Sequence, residues 1–214
     1  MRVRARPHVS VTCSQPMATD VALVVRNLLD FYPFAGKTVV SVGAGGGQLV
    51  EYGREARKVL AVDQDVAALQ RLAEVVRAKG LSGSFELVHA DFFDVSARGD
   101  VVLFEFSLHE VTDPAKALVH AKTLAADVVV LDHAPGSDWA FQTVEEEKVR
   151  ASAEAVGRFG VRSDRIFRAE QRFADHAELL AKVSSQGPLA VERSERFRGA
   201  TDIVIPFGYG IALL

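Results

Sequence analysis

The chain has 214 residues, 49% of them apolar, with 25 basic and 28 acidic side chains. That length carries one α/β domain with a full core but not two large ones, and the apolar share excludes a chain disordered throughout. A net charge of −3 leaves no electrostatic footprint for nucleic acid, and a single cysteine, Cys13, excludes an internal disulfide.

The first sixteen residues differ from the rest. Arg2, Arg4 and Arg6 alternate with small or apolar residues, and Pro16 closes the segment. This stretch reads as a tail or edge strand, or as an arm touching a partner subunit or an anionic substrate; residues 17–214 form the single domain. No apolar run is long enough to cross a bilayer, and the start lacks the apolar core of a signal peptide, so a cytoplasmic protein is expected. A first helix covers Ala18 to Asp30, with Thr19 or Asp20 at its cap. Phe31-Tyr32-Pro33-Phe34 ends it, because the residue before proline avoids helical angles.

Next comes the densest signal. Thr38 to Val42 is a short apolar strand that runs into Gly43-Ala44-Gly45-Gly46-Gly47, and a helix to about Arg54 follows. A second strand, Lys58 to Val62, ends on Asp63. Glycines let the backbone approach a ligand, and a carboxylate at the next strand's tip can accept hydrogen bonds from both ribose hydroxyls. The pattern therefore builds a nucleoside pocket. A dinucleotide site wants Gly-x-Gly-x-x-Gly, but the last position of that pattern is Gln48.

Asp65 caps a helix through Lys79, and Gly80 closes it. Strand three is Phe85 to His89. Strand four is Asp100 to Phe106, a nearly continuous apolar run expected of a strand buried on both faces. Asp113-Pro114 starts another helix, and strand five is Asp127 to Leu131. Thr143 with Glu146 reads as a capping box for a helix to about Val156, and Asp175 with Glu178 as a second for a helix to Ser185. Leu189 to Phe197 and Asp202 to Leu214 read as two strands joined by a short turn, hence antiparallel. The alternation predicts an α/β, doubly wound, Rossmann-like parallel sheet with a terminal hairpin.

The Gly-x-Gly-x-Gly form at Gly43, Gly45 and Gly47, joined to Asp63, resembles motif I of the class I S-adenosylmethionine-dependent methyltransferases. From about Ala18 to the C-terminus the element order resembles that family's seven-stranded sheet, order 3-2-1-4-5-7-6 with strand 7 antiparallel. The resemblance implies S-adenosylmethionine as cofactor. Gly43, Ala44, Gly45 and Gly47 would pass under its methionine part, Asp63 would hold the ribose and Gln64 would lie against the adenine. Asp91 would accept a hydrogen bond from the adenine amino group and the Phe92 N–H would meet a ring nitrogen. The family usually has an acid two residues before the first motif glycine, where this chain has Ser41; Glu105 is the candidate to meet the cofactor's ammonium instead.

Strand four leads into Ser107-Leu108-His109-Glu110-Val111, with no Asn/Asp-Pro-Pro-Tyr sequence. This looks like the small-molecule, quinone-type branch of the family. Methyl transfer from a sulfonium needs alignment and water exclusion, and a base only where the acceptor must lose a proton. His109 and His133 are the candidate bases, since an imidazole titrates near neutrality. Trp139 is a candidate wall for the acceptor, and Arg198 and Thr201 would reach its edge if the final hairpin is as read. No Cys/His zinc spacing and no cluster of Asp and Asn ligands is present, so no metal is expected. The expected partner is a small-molecule methyl acceptor, with neither membrane nor nucleic acid; a homodimer is compatible with the sequence. Three other readings stay open: a NAD-dependent oxidoreductase, a non-catalytic cofactor-binding member of the same fold, and RNA methylation using the arginine tail.

Overall fold

The computed structural model describes residues 21–214. The arginine segment, Cys13 and the Thr19 or Asp20 cap lie outside the described residues. In chain order the elements are α1 (Val21–Phe31), β1 (Thr38–Val42), β2 (Lys58–Asp63), α2 (Val66–Ala78), β3 (Phe85–His89), β4 (Val101–Glu105), α3 (Pro114–Leu124) and β5 (Asp127–His133). There follow α4 (Asp138–Gln142), α5 (Glu146–Phe159), β6 (Ser163–Asp175), α6 (His176–Val183), α7 (Pro188–Ser194) and β7 (Thr201–Leu213). One sheet holds seven strands in the order β3-β2-β1-β4-β5-β7-β6. β1 to β5 are mutually parallel, and β7 runs antiparallel to both β5 and β6. This is the doubly wound architecture expected.

The two-fold alternation of strand side chains builds a core on each face. Val39, Leu103, Leu131 and Ile211 face α1 and α2, while Val40, Phe104, Val130 and Leu214 face α3 and α5. Side chains such as Leu103 and Leu131 are fully buried, each stabilising the fold by roughly 1.5–3 kcal/mol. Caps fall where the residues dictate: Asp65 accepts from the Ala67 N–H (2.8 Å), and Asp113 from the Lys116 N–H (3.0 Å) with Pro114 at the first helical position.

Four local readings change. The glycine loop opens onto a 3₁₀ segment, Val50–Arg54, rather than a full helix. The sixth strand is Ser163–Asp175, and Leu189 to Phe197 is helical: Gly187-Pro188 starts α7, and a 3₁₀ turn spans Glu195–Phe197. β6 was hidden by its charge, because as an edge strand it is exposed along much of its length and only alternate residues such as Gln171 and Phe173 turn inward. Thr143 ends α4 rather than capping α5, its hydroxyl lying within hydrogen-bond distance of Trp139 O (3.1 Å) and Glu145 Oε2 (2.8 Å). Thr201 pairs with Asp175 at the far end of the β6–β7 ribbon and Arg198 binds Glu195, so neither reaches the cavities described below.

Candidate functional site

The carboxyl ends of β1, β2 and β4 border a cavity of about 340 Å³, lined among others by Gly43, Asp63, Gln64, Asp91, Phe92 and Ser107. Gly43 is required twice over. Its φ of +66° suits glycine, and an added Cβ would collide with the Ser107 side chain. Ser107 itself is fixed by donating to Val42 O (2.6 Å). Asp63 accepts from the Gly45 N–H (3.1 Å) through one oxygen and from the Asp65 N–H (2.9 Å) through the other. It thus ties the glycine loop to the tip of β2, while Asp65 does the helix capping. A carboxylate has about four acceptor positions, and the described residues use two of those on Asp63, which lines the cavity. Asp91 accepts from the Phe93 N–H (2.9 Å), which caps a 3₁₀ turn at Phe92–Asp94.

Of the residues singled out in sequence, Gly43, Asp63, Gln64, Asp91 and Phe92 line this cavity; Ala44, Gly45, Gly47 and Glu105 do not. Gly47 shapes the loop from behind, where an added Cβ would stand 2.8 Å from Leu72 Cδ1. Glu105 is buried beside β1 and accepts from both Ser41 Oγ and Tyr52 OH. Burial pushes its pKa up to about 7, against the two hydroxyl bonds that favour the carboxylate. The acid missing at position 41 therefore stands on the neighbouring strand, bonded to the serine that replaces it.

A second cavity of about 600 Å³ adjoins the first across Phe106. Its wall includes Leu49, His133, Trp139, Gln171, Phe173 and Phe207. Phe106 has a φ of +52°, rare for a residue with a side chain. That turn aims the ring between the two spaces, where it packs on His133 and Phe207 (centroids 5.0 and 5.7 Å away). Trp139 stacks on Phe173 at 5.8 Å, fastening α4 to β6. Gln171 Oε1 is buried in this region with no hydrogen-bond partner among the described residues.

The two histidines meet at 5.1 Å between ring centroids but differ in state. His109 is buried, its Nδ1 bonded to Asp132 Oδ1 (2.5 Å) and its backbone N–H to Asp132 Oδ2 (2.9 Å). Burial opposes a charge on it, but the Asp132 bond and the Glu110 and Glu145 carboxylates outweigh this and hold its pKa up at about 10. An imidazolium has no lone pair with which to take a proton. Burial, then the charge of His109, push His133 down to about 4, and only His133 lines the second cavity. Asp132 also accepts from Ser152 Oγ (3.0 Å) and the His133 N–H (2.8 Å). Sequence reading missed Phe106, Ser107, Asp132, Glu145 and Gln171; their common signal, a position at or just past a strand's carboxyl end, exists for Phe106, Ser107 and Asp132 alone.

Residues 40–127 match a sequence family described as "Methyltransferase domain". No curated protein matches the chain by sequence. Among solved structures, it is similar to a S-adenosylmethionine-dependent methyltransferase from Aquifex aeolicus (19% identity, 92% of this chain and 90% of that one, TM-score 0.57). Another is a candidate RNA methyltransferase from Pyrococcus horikoshii (16%, 90% and 81%, TM-score 0.57). A third is the magnesium protoporphyrin IX methyltransferase of Synechocystis with bound S-adenosylmethionine (14%, 90% and 77%, TM-score 0.53). At these identities the likeness is one of fold.

Proposed function

We propose that this chain is a class I S-adenosylmethionine-dependent methyltransferase, as the match over residues 40–127 and the shared fold support, and that it transfers the cofactor's methyl group to a small-molecule acceptor. The observation that carries the proposal is the pair of cavities joined at Phe106, one at the strand tips with Asp63, Gln64 and Asp91 in its lining and one walled largely by apolar and aromatic side chains. The first would hold the nucleoside, with Asp63 on the ribose, Asp91 and the Phe92 N–H on the adenine, Gln64 beside it and the Gly43–Gly47 backbone under the methionine. Glu105 balances the ammonium group across Ser41. A half-open cavity with a mainly apolar, aromatic lining suits a compact organic acceptor, and a net charge of −3 does not suit an RNA backbone.

When bound, the cofactor would supply a methyl group already activated on sulfur, which an acceptor lone pair would take while the C–S electron pair stayed with sulfur. The protein's share is alignment and water exclusion. His133 is the side chain beside the acceptor; His109, held by Asp132, is a positioning residue behind it. Calorimetry with S-adenosylhomocysteine tests the pocket. Wild-type protein should bind in the micromolar range and Asp63→Ala at least tenfold more weakly with an unchanged circular dichroism spectrum. Equal affinities would remove the ribose assignment, and binding of NAD in place of the homocysteine product would overturn the reading.

A further inference from the structure

Three segments distant in sequence bring ligand-type side chains to one point. His109 follows β4, His133 ends β5 and Glu145 precedes α5, and one ligand atom from each lies within 4.8 Å of the other two. His109 and Glu145 are buried. His109 Nε2 stands 4.0 Å from Glu145 Oε2 and 3.5 Å from Glu110 Oε1. His109 Nδ1 is already bonded to Asp132, the arrangement by which a carboxylate orients a metal-bound imidazole so that its other nitrogen faces the ion. His133 Nδ1 is buried and finds no hydrogen-bond partner among the described residues. Asp132, Glu110 and Glu145 thus converge on one imidazole, with Lys148 bonded to Glu110 (2.7 Å). Such a pocket has more negative than positive groups, and a dication would correct that imbalance.

We propose that His109, His133 and Glu145 form a binding site for a divalent transition-metal ion of the zinc class, with the Glu110 carboxylate at its rim. Two imidazoles and a carboxylate are a donor set such ions favour, and calcium or magnesium do not. Tetrahedral coordination at the usual bond lengths draws the ligand atoms to about 3.3 Å apart, a shift of side-chain torsions rather than of strands. Metal entry displaces the proton on His109 Nε2, as at any histidine ligand. The site sits between the two cavities: Glu110 borders the first and His133 the second. There an open coordination position would hold the acceptor's oxygen, nitrogen or sulfur against the methyl group. That role rests on the methyl-transfer reading; the metal site itself does not.

The test begins with protein stripped by chelator and dialysed. Zinc titrated by calorimetry should bind one equivalent per chain with a Kd of micromolar or tighter, and cobalt(II) should develop visible d–d absorption. His133→Ala and Glu145→Gln should each weaken zinc at least tenfold, while Asp63→Ala, outside the cluster, binds it as wild type does. Should His133→Ala fail to fold, Glu145→Gln decides alone, since it keeps the side chain's volume. Absence of zinc and cobalt binding to wild-type protein overturns the proposal, and so does binding that neither variant weakens. Because S-adenosylhomocysteine affinity is measured separately, loss of that affinity with zinc binding intact would sink the methyl-transfer reading and leave the metal site standing.

Discussion

At the scale of single residues, Gln171 is the clearest candidate for acceptor specificity. A buried carbonyl without a partner costs about 1–3 kcal/mol, and Gln171 Oε1 has none among the described residues, beside the second cavity. A fold tolerates such an atom where a ligand completes it. Gln171→Leu should therefore raise the thermal midpoint by a few degrees while increasing the acceptor KM severalfold and leaving S-adenosylhomocysteine affinity unchanged. A variant that loses stability with no change in KM would assign Gln171 to packing. Asp63 works differently, because its two bonds to Gly45 and Asp65 pre-orient the carboxylate before any ligand arrives.

At the scale of elements, the β6–β7 ribbon makes one side of the second cavity. β5 pairs only with residues from Tyr209 to Leu213 of β7, so the earlier part of β7 runs past the sheet's carboxyl edge with β6 beside it. Phe173 and Phe207 come from that overhang, and α6 adds Glu178, Ala181 and Lys182 to the same wall. Asp175 caps α6 by accepting from the Glu178 N–H (2.9 Å), and Glu178 returns a bond from the Ala174 N–H. Asp175→Ala should lower stability by about 1 kcal/mol, read as a fall in the urea midpoint. It should also raise the acceptor KM without touching cofactor affinity. If both affinities fell together, the ribbon would be supporting the whole site rather than one cavity.

At the scale of the whole molecule, Glu105 ties the central strands to pH. Its folded pKa of about 7 lies above the carboxyl's ordinary 4.5 because burial disfavours the charge. Between those values the unfolded chain binds fewer protons than the folded one, so stability falls as pH rises. The contribution is complete below about pH 4.5 and gone above about pH 7, an effect on the order of 3 kcal/mol. Glu105→Gln keeps an acceptor for Ser41 and Tyr52 and should flatten this part of the profile, leaving the variant more stable than wild type at pH 8. Denaturation at pH 5 and pH 8 reads the difference directly; parallel profiles would show that Glu105 ionises normally.

What the amino-acid order determined by itself is what nearest neighbours in the chain control. Positive-φ glycines made the Gly43–Gly47 loop, apolar periodicity made β1 to β5 and most helices, and Asp63 and Asp91 stood at strand ends because a carboxylate there meets free N–H groups. β6 was weak in that signal, since an edge strand needs only half its face buried and fills the rest with charge. The remainder was decided by which strands lie side by side. Pairing β4 with β5 set Asp132 under His109, and the helical return after β5 brought Glu145 to the same point. No local pattern encodes a neighbour 23 or 36 positions away; packing of the finished sheet does.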